Sequence, residues 1–192
     1  MNWLSIVPIM IALLLIGFFS GLEVVFISAN KLSIELRKKQ GNYSGKTWSL
    51  FLESPARFIV TSLLISNILL VVYGLLASNE LAEVWKYWSI ENQFIILGAE
   101  TIIATVILIF FESVFKSVLR ASSNSVTSSN FLSFCIKSFY SLFSGIARIF
   151  VNITEWILKY LFNVKIQNKT QSFTRMDLDH YVQQLNMTDS DE

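Results

Sequence analysis

Cysteine is nearly absent from this chain: Cys135 is the single one in 192 residues. No intrachain disulfide can form, and a multi-cysteine metal cage is excluded. Histidine is as scarce, with His180 standing alone in the polar tail. No HExxH, no GxSxG and no Ser/His pair within an apolar segment is present. That argues against metalloprotease and serine-hydrolase chemistry and leads to a non-enzymatic reading. Proline occurs at Pro8 and Pro55 only, and no Gly-rich or low-complexity linker divides the chain. Charge is thin as well, with 15% of residues charged, against roughly 25% in ordinary soluble domains. The formal net charge of +1 supplies no global basic field, so nucleic acid is not an expected partner.

What fills the chain is apolar: 53% of residues are hydrophobic, and they gather in long runs. Three runs reach the roughly 20 residues a membrane span needs: about 3–27, 58–77 and 94–115. The expected fold is therefore an all-α, multi-pass membrane protein. The first run lacks a Lys/Arg-rich leader and a small-x-small cleavage site, so it reads as a retained span rather than a signal peptide. Lys31, Arg37, Lys38, Lys39, Lys46 and Arg57 lie between the first two runs, and Lys116, Arg120 and Lys137 follow the third. Glu80, Glu83 and Glu91 dominate the remaining connection. This bias places the N-terminus outside and the C-terminus inside, with Trp85, Tyr87 and Trp88 as an outer aromatic belt.

The connections carry patterns of their own. In "ANKLSIELRKKQ", Leu32 and Leu36 lie four apart beside Lys31, Glu35, Lys38 and Lys39. This suits a short amphipathic helix over about 30–40 on the membrane surface, stopped by "GNYSG". "KTWSLFLESPARF" then leads back in, with Pro55 near the first turn of the second span. Over 130–162, Lys137, Arg148, Glu155 and Lys159 fall within about 40° on a helical wheel, and Ser133, Ser141, Ser144 and Asn152 extend that stripe. The segment reads as one or two interfacial helices, bent near Gly145; a fourth span is the alternative. Residues 1–165 are thus expected to form the membrane domain, and 166–192 a linker and the start of an acidic cytoplasmic helical bundle. In "TRMDLDHYVQQL", Thr174 and Asp177 suit a helix start, and Leu178, Tyr181, Val182 and Leu185 share a face that needs a partner. The chain reads as cut where that part begins.

Each span also carries polar groups. Ser20 and Glu23 share one side of the first, with Gly21 allowing close approach of another backbone. The second holds Ser62, Ser66 and Asn67; the third holds Thr101, Thr105 and Glu112, with Lys116 one turn beyond. A charge at the bilayer centre costs roughly 2.5–3.5 kcal/mol on insertion scales, so these groups are expected to meet. Carboxylate, amide and hydroxyl oxygens form a hard donor set that suits Mg²⁺ or Na⁺. Plainer roles stand beside this one. Ser and Thr bond their own helix carbonyls, Asn67 can join helices, Glu112 can pair with Lys116, and Glu23 can pair with Lys31 or snorkel.

The ordered motifs "FFSGLEVVFISANKLSIEL", "SPARFIVTSLLISNILLVVYG" and "FFESVFK" resemble the membrane domain of the cyclin-M/CorC family, also called HlyC/CorC or hemolysin-related. The variant looks most like Bacteroidetes members associated with gliding motility. The resemblance implies three transmembrane helices and a juxtamembrane belt in a homodimer of the plasma (inner) membrane. It also implies Mg²⁺ transport, proposed as Na⁺-coupled efflux. Carried over residue by residue, it puts Ser20, Gly21 and Glu23 in the "SG-x-E" motif, Leu64, Ile65 and Asn67 in "L-I-G-N", and Glu112 and Lys116 in "E-x-x-P-K". Glu112 and Asn67 are then the expected cation ligands, Ser20 and Ser66 support them, and Glu23 orients the site or carries a coupling charge. Leu22, Ser66 and Phe115 depart from the family's usual Ser, Gly and Pro. The family's CBS domains, which bind adenine nucleotide, are not in this sequence, so no nucleotide site is expected; they or another partner would pack on 174–185. The competing expectation is a dimeric membrane adaptor that transports nothing.

Overall fold

A computed structural model describes residues 3–87 and 92–161. The expected linker and bundle start at 166–192 lie outside the described residues. Within them the protein is all-α: α1 (Trp3–Ser28), α2 (Lys31–Lys39), α3 (Tyr43–Glu53), α4 (Pro55–Tyr87), α5 (Gln93–Ala121), α6 (Ser123–Ser128) and α7 (Asn130–Leu161). Among the described residues, four helical stretches are long and apolar enough to cross a membrane: Ile6–Ser28, Pro55–Ala82, Gln93–Ala121 and Asn130–Tyr160. This is an α-helical integral membrane protein. The chain divides into two compact units at Ile153 and Thr154. The described part of the second is the end of α7, where the Trp156 and Tyr160 rings lie 5.4 Å apart.

Helix α1 is the centre of the larger unit, with α4 along one side and α5 along another. The chain leaves α1 at Ser28, whose hydroxyl donates to Val24 O at 2.7 Å. Asn30 then starts α2, its side chain accepting the Ser33 N–H at 3.1 Å, the capping bond an Asn at this position supplies. Pro55 opens α4, where its missing N–H costs nothing. Asn92 caps α5 by accepting from Phe94 N at 3.1 Å. Both long helices outrun the apolar runs that announce them, α4 to Tyr87 and α5 to Ala121.

At the Ser28/Pro55/Ala121 end, short helices wrap a large aromatic core. Helix α3 is the element that periodicity did not announce. It inserts Trp48 and Phe51, both fully buried, among Phe19, Leu22, Phe26 and Phe58. The Trp48 indole N–H donates to Ser133 Oγ at 3.1 Å, because a buried indole needs an acceptor. Ser133 is thereby fully buried and withdrawn from the polar stripe in which periodicity places it. Helix α2 turns Ile34 into this core and leaves Leu32 and Leu36 outside, as a surface helix facing lipid requires. Arg37 donates to Ser128 and, at 3.2 Å, to Thr127, tying α2 to α6.

Helix α7 passes through Gly145 without a break. One face is buried through Ser133, Ile136 and Ala147; Lys137 and Arg148 stay exposed; a third face exposes Phe131, Phe134, Leu142, Ile146 and Ile149. A polar stripe between two apolar faces suits a helix that touches protein, headgroups and lipid together.

Two glycines give opposite expectations. A Cβ on Gly45 would lie 2.8 Å from Arg37 Cβ and closer still to the Lys38 backbone nitrogen, so α3 and α2 could not keep their spacing. A Cβ on Gly145 meets nothing within 4 Å. Gly45→Ala is expected to destabilise by about 1–3 kcal/mol, and Gly145→Ala to stabilise by up to about 1 kcal/mol. Thermal unfolding in detergent checks both; a tolerated Gly45→Ala would contradict the packing of α2 on α3.

Candidate functional site

The site grows from the seam between α1 and α5. Gly17 and Gly21 lie four apart on α1, where small residues let helices approach. A Cβ on Gly17 would sit 2.6 Å from Phe115 Cδ2, and one on Gly21 would strike Leu119 Cδ1. The two large α5 side chains therefore occupy the space the glycines leave. Between those contacts Ser20, 6% exposed, donates its hydroxyl to Glu112 Oε1. The same oxygen accepts from Lys116 Nζ at 2.7 Å, one turn along α5. Glu23 lies one turn from Ser20 and feels the charges of both Lys116 and Glu112. Its Oε1 is buried with no hydrogen-bond partner.

A cavity of about 400 Å³ opens beside this cluster, lined by Glu112, Lys116, Arg120, Ser113 and Ser117 with Val24 and Ile109. The Glu112 and Glu23 carboxylates face the Lys116 ammonium, and the Arg120 guanidinium lines the same cavity, so the formal charges balance. The carboxylate and hydroxyl oxygens are hard donors of the kind that small cations prefer. Among the described residues no group of three or more His, Cys, Asp or Glu gathers, so the carboxylates here number two and neutral oxygens must supply the rest.

Of the residues singled out in the sequence, Ser20, Glu23, Glu112 and Lys116 come together. Ser66 and Asn67 do not join them. Ser66 donates to Ser62 O at 3.0 Å and Asn67 to Leu63 O at 2.9 Å, each within its own helix, and Asn67 is exposed. Thr101 likewise bonds Leu97 O at 2.8 Å, and Thr105 faces outward. Ser62 is an α4 hydroxyl that reaches α1, donating to Phe19 O at 2.7 Å. The Gly17–Phe115 contact is signalled in the sequence only by the four-residue spacing of Gly17 and Gly21.

Long apolar helices with a polar cluster at the α1–α5 seam define the class as an integral membrane protein. The family model for the cyclin M transmembrane N-terminal domain matches residues 8–191. The chain belongs to that family, whose domain is associated with divalent cation transport. A comparison with curated proteins returned no match.

The Ser20–Glu112 contact should register as energetic coupling. Ser20→Ala and Glu112→Ala, combined in a double-mutant cycle, are expected to be non-additive by about 0.5–1.5 kcal/mol. Denaturant unfolding in micelles reads this directly, and additivity would mean that the contact carries no energy.

Proposed function

We propose that this domain exports Mg²⁺ across the plasma membrane, coupled to Na⁺ entering in exchange, as a homodimer. The observation that carries the reading is Glu112: a carboxylate within an apolar helix pair, held by Ser20 and Lys116 at the wall of an open cavity. Lys116 acts as a tethered cation that occupies Glu112 when no metal is bound. An arriving Mg²⁺ displaces the ammonium and faces Glu112, Glu23 and the Ser20 hydroxyl. Two carboxylates against one divalent ion are formally neutral, which lowers the cost of holding charge in the membrane. When the metal leaves, Lys116 returns, so release does not strand a bare carboxylate. A site of two carboxylates is weak enough to let go, as transport demands.

Ser66 and Asn67 are the α4 oxygens of the proposed set. Ser66 Oγ and Asn67 Nδ2 each donate to a carbonyl of their own helix in this conformation, and Asn67 is exposed, so recruiting both oxygens requires α4 to move against α1. Rocking of one bundle element against another is the movement by which transporters alternate access. The Lys/Arg bias puts the Glu112 cavity at the cytoplasmic end. The outward apolar faces of α4 and α5, including Leu63, Val71, Leu75, Val106 and Phe110, are left for lipid and a second copy of the chain.

Proteoliposomes loaded with Mg²⁺ and a fluorescent indicator test the reading. The native chain is expected to release Mg²⁺ faster under an inward Na⁺ gradient. Glu112→Gln should lower the rate by about tenfold or more. Lys116→Met should bind Mg²⁺ more tightly yet release it more slowly, because the returning cation is gone. Absence of specific flux in native dimers would instead favour a membrane adaptor.

A further inference from the structure

Glu100 is the buried residue of α5, 9% exposed, on a helix whose other described side chains are half-buried or exposed. It lies near the Gln93 end, about 18 Å along the helix from Glu112 at 1.5 Å per residue. A carboxylate enclosed among helices is costly unless a donor satisfies it. Ser78 on α4 is that donor, its Oγ 2.9 Å from Glu100 Oε2. One turn further into the bundle, Tyr73 on α4 donates its hydroxyl to Ala104 O on α5, also at 2.9 Å. Tyr73 is 3% exposed, so the donor of this bond is buried.

These two bonds join helices that otherwise pack mainly on α1. Next to them lies an apolar cluster: Leu13 and Ile16 from α1, Tyr73 and Ala77 from α4, and the half-buried Leu108 and Phe111 from α5. Leu108 and Phe111 stand between Glu100 and Glu112 on the same helix. The bundle is therefore polar and open at the Glu112 end, dry across its middle, and pinned by hydrogen bonds at the other end.

We propose that Ser78–Glu100 and Tyr73–Ala104 form a latch that keeps the Gln93 end closed while the Glu112 cavity is open. Its release lets α4 and α5 part and wets the Leu13–Leu108–Phe111 layer. Interhelical hydrogen bonds in membranes are individually modest, so two together bias the closed state by about tenfold and still open thermally. A stronger clamp would trap the bundle, and none at all would leave both ends open together. The purpose of the latch rests on the transport reading; its existence does not.

Accessibility tests it without any flux. Because Cys135 is the single cysteine, Cys135→Ser gives a clean background for Leu108→Cys in the dry layer and Ser113→Cys in the open cavity. A charged maleimide is added to the dimer in nanodiscs, where both faces are accessible. Tyr73→Phe with Ser78→Ala is expected to raise labelling at Leu108→Cys about tenfold and leave Ser113→Cys unchanged. Glu100→Gln keeps an acceptor for Ser78 and should label at the parental rate. An unchanged rate at Leu108→Cys, or an equal rise at both positions, overturns the latch. If the double variant does not fold, Tyr73→Phe alone removes one hydroxyl and should give about a threefold rise. Native protein that carries no Mg²⁺ would defeat the transport reading and leave this measurement decisive for the latch.

Discussion

The structure depends on one close approach. Gly17 and Gly21 bring α1 against α5 tightly enough for Ser20 to reach Glu112. Without that approach Glu112 would keep only the Lys116 ammonium of its own helix and would face lipid on its other side. With it, Glu112 gains the Ser20 hydroxyl as a second donor and Glu23 gains an ionic environment. The bulk of Phe115 and Leu119 then complements the glycines instead of clashing with them. Packing and electrostatics here are one constraint, since the same backbone spacing serves both.

The aromatic core at the neighbouring end fixes that spacing. Trp48, Phe51 and Phe58 pack in tilted and edge-on contacts at the Ser28 end of α1 and the Pro55 end of α4; the Phe26 and Phe58 rings stack 4.7 Å apart and the Phe51 and Phe58 rings lie 4.8 Å apart. Hydrogen bonds from Trp48 to Ser133, from the Ser44 N–H to Asn130 and from Arg37 to Ser128 bind the short helices to α6 and α7. The belt thus holds one end of α1 and α4 rigid. At the other end α4 and α5 meet through two hydrogen bonds, Ser78–Glu100 and Tyr73–Ala104. On the proposed reading, ion access falls at the end the belt holds and opening at the end these two bonds hold.

Much of this was legible in the residues, and the parts that were not share a cause. Long apolar runs announced α1, α4 and α5, and the polar periodicity of 130–162 announced α7, because length and period are properties of one segment. The Ser20–Glu23 and Glu112–Lys116 spacings were readable for the same reason. Helix α3 was not: its buried Trp48 and Phe51 meet partners from α1, α4 and α7, and no local period encodes that. Ser133 sat on the polar stripe by position, yet Trp48 claims it across the fold. Asn67 shows the opposite limit. Its motif is clear, but this conformation leaves it exposed and bonded to its own helix, and motif spacing does not report which way a span is rotated. Glu100 is buried on an otherwise open helix and bonded by Ser78 of α4, a partner that the pattern of one span does not report.

The central claim is that a cation takes the place of the Lys116 ammonium beside Glu112. A structure determined with Mn²⁺ as an anomalous scatterer tests it most directly. The account predicts an anomalous peak within bonding distance of Glu112, about 2.1–2.6 Å for hard oxygen ligands, with Lys116 Nζ swung away and Ser20 turned to the metal. A Glu112 still paired with Lys116 at saturating Mn²⁺, with no peak along the α1–α5 seam, would contradict it.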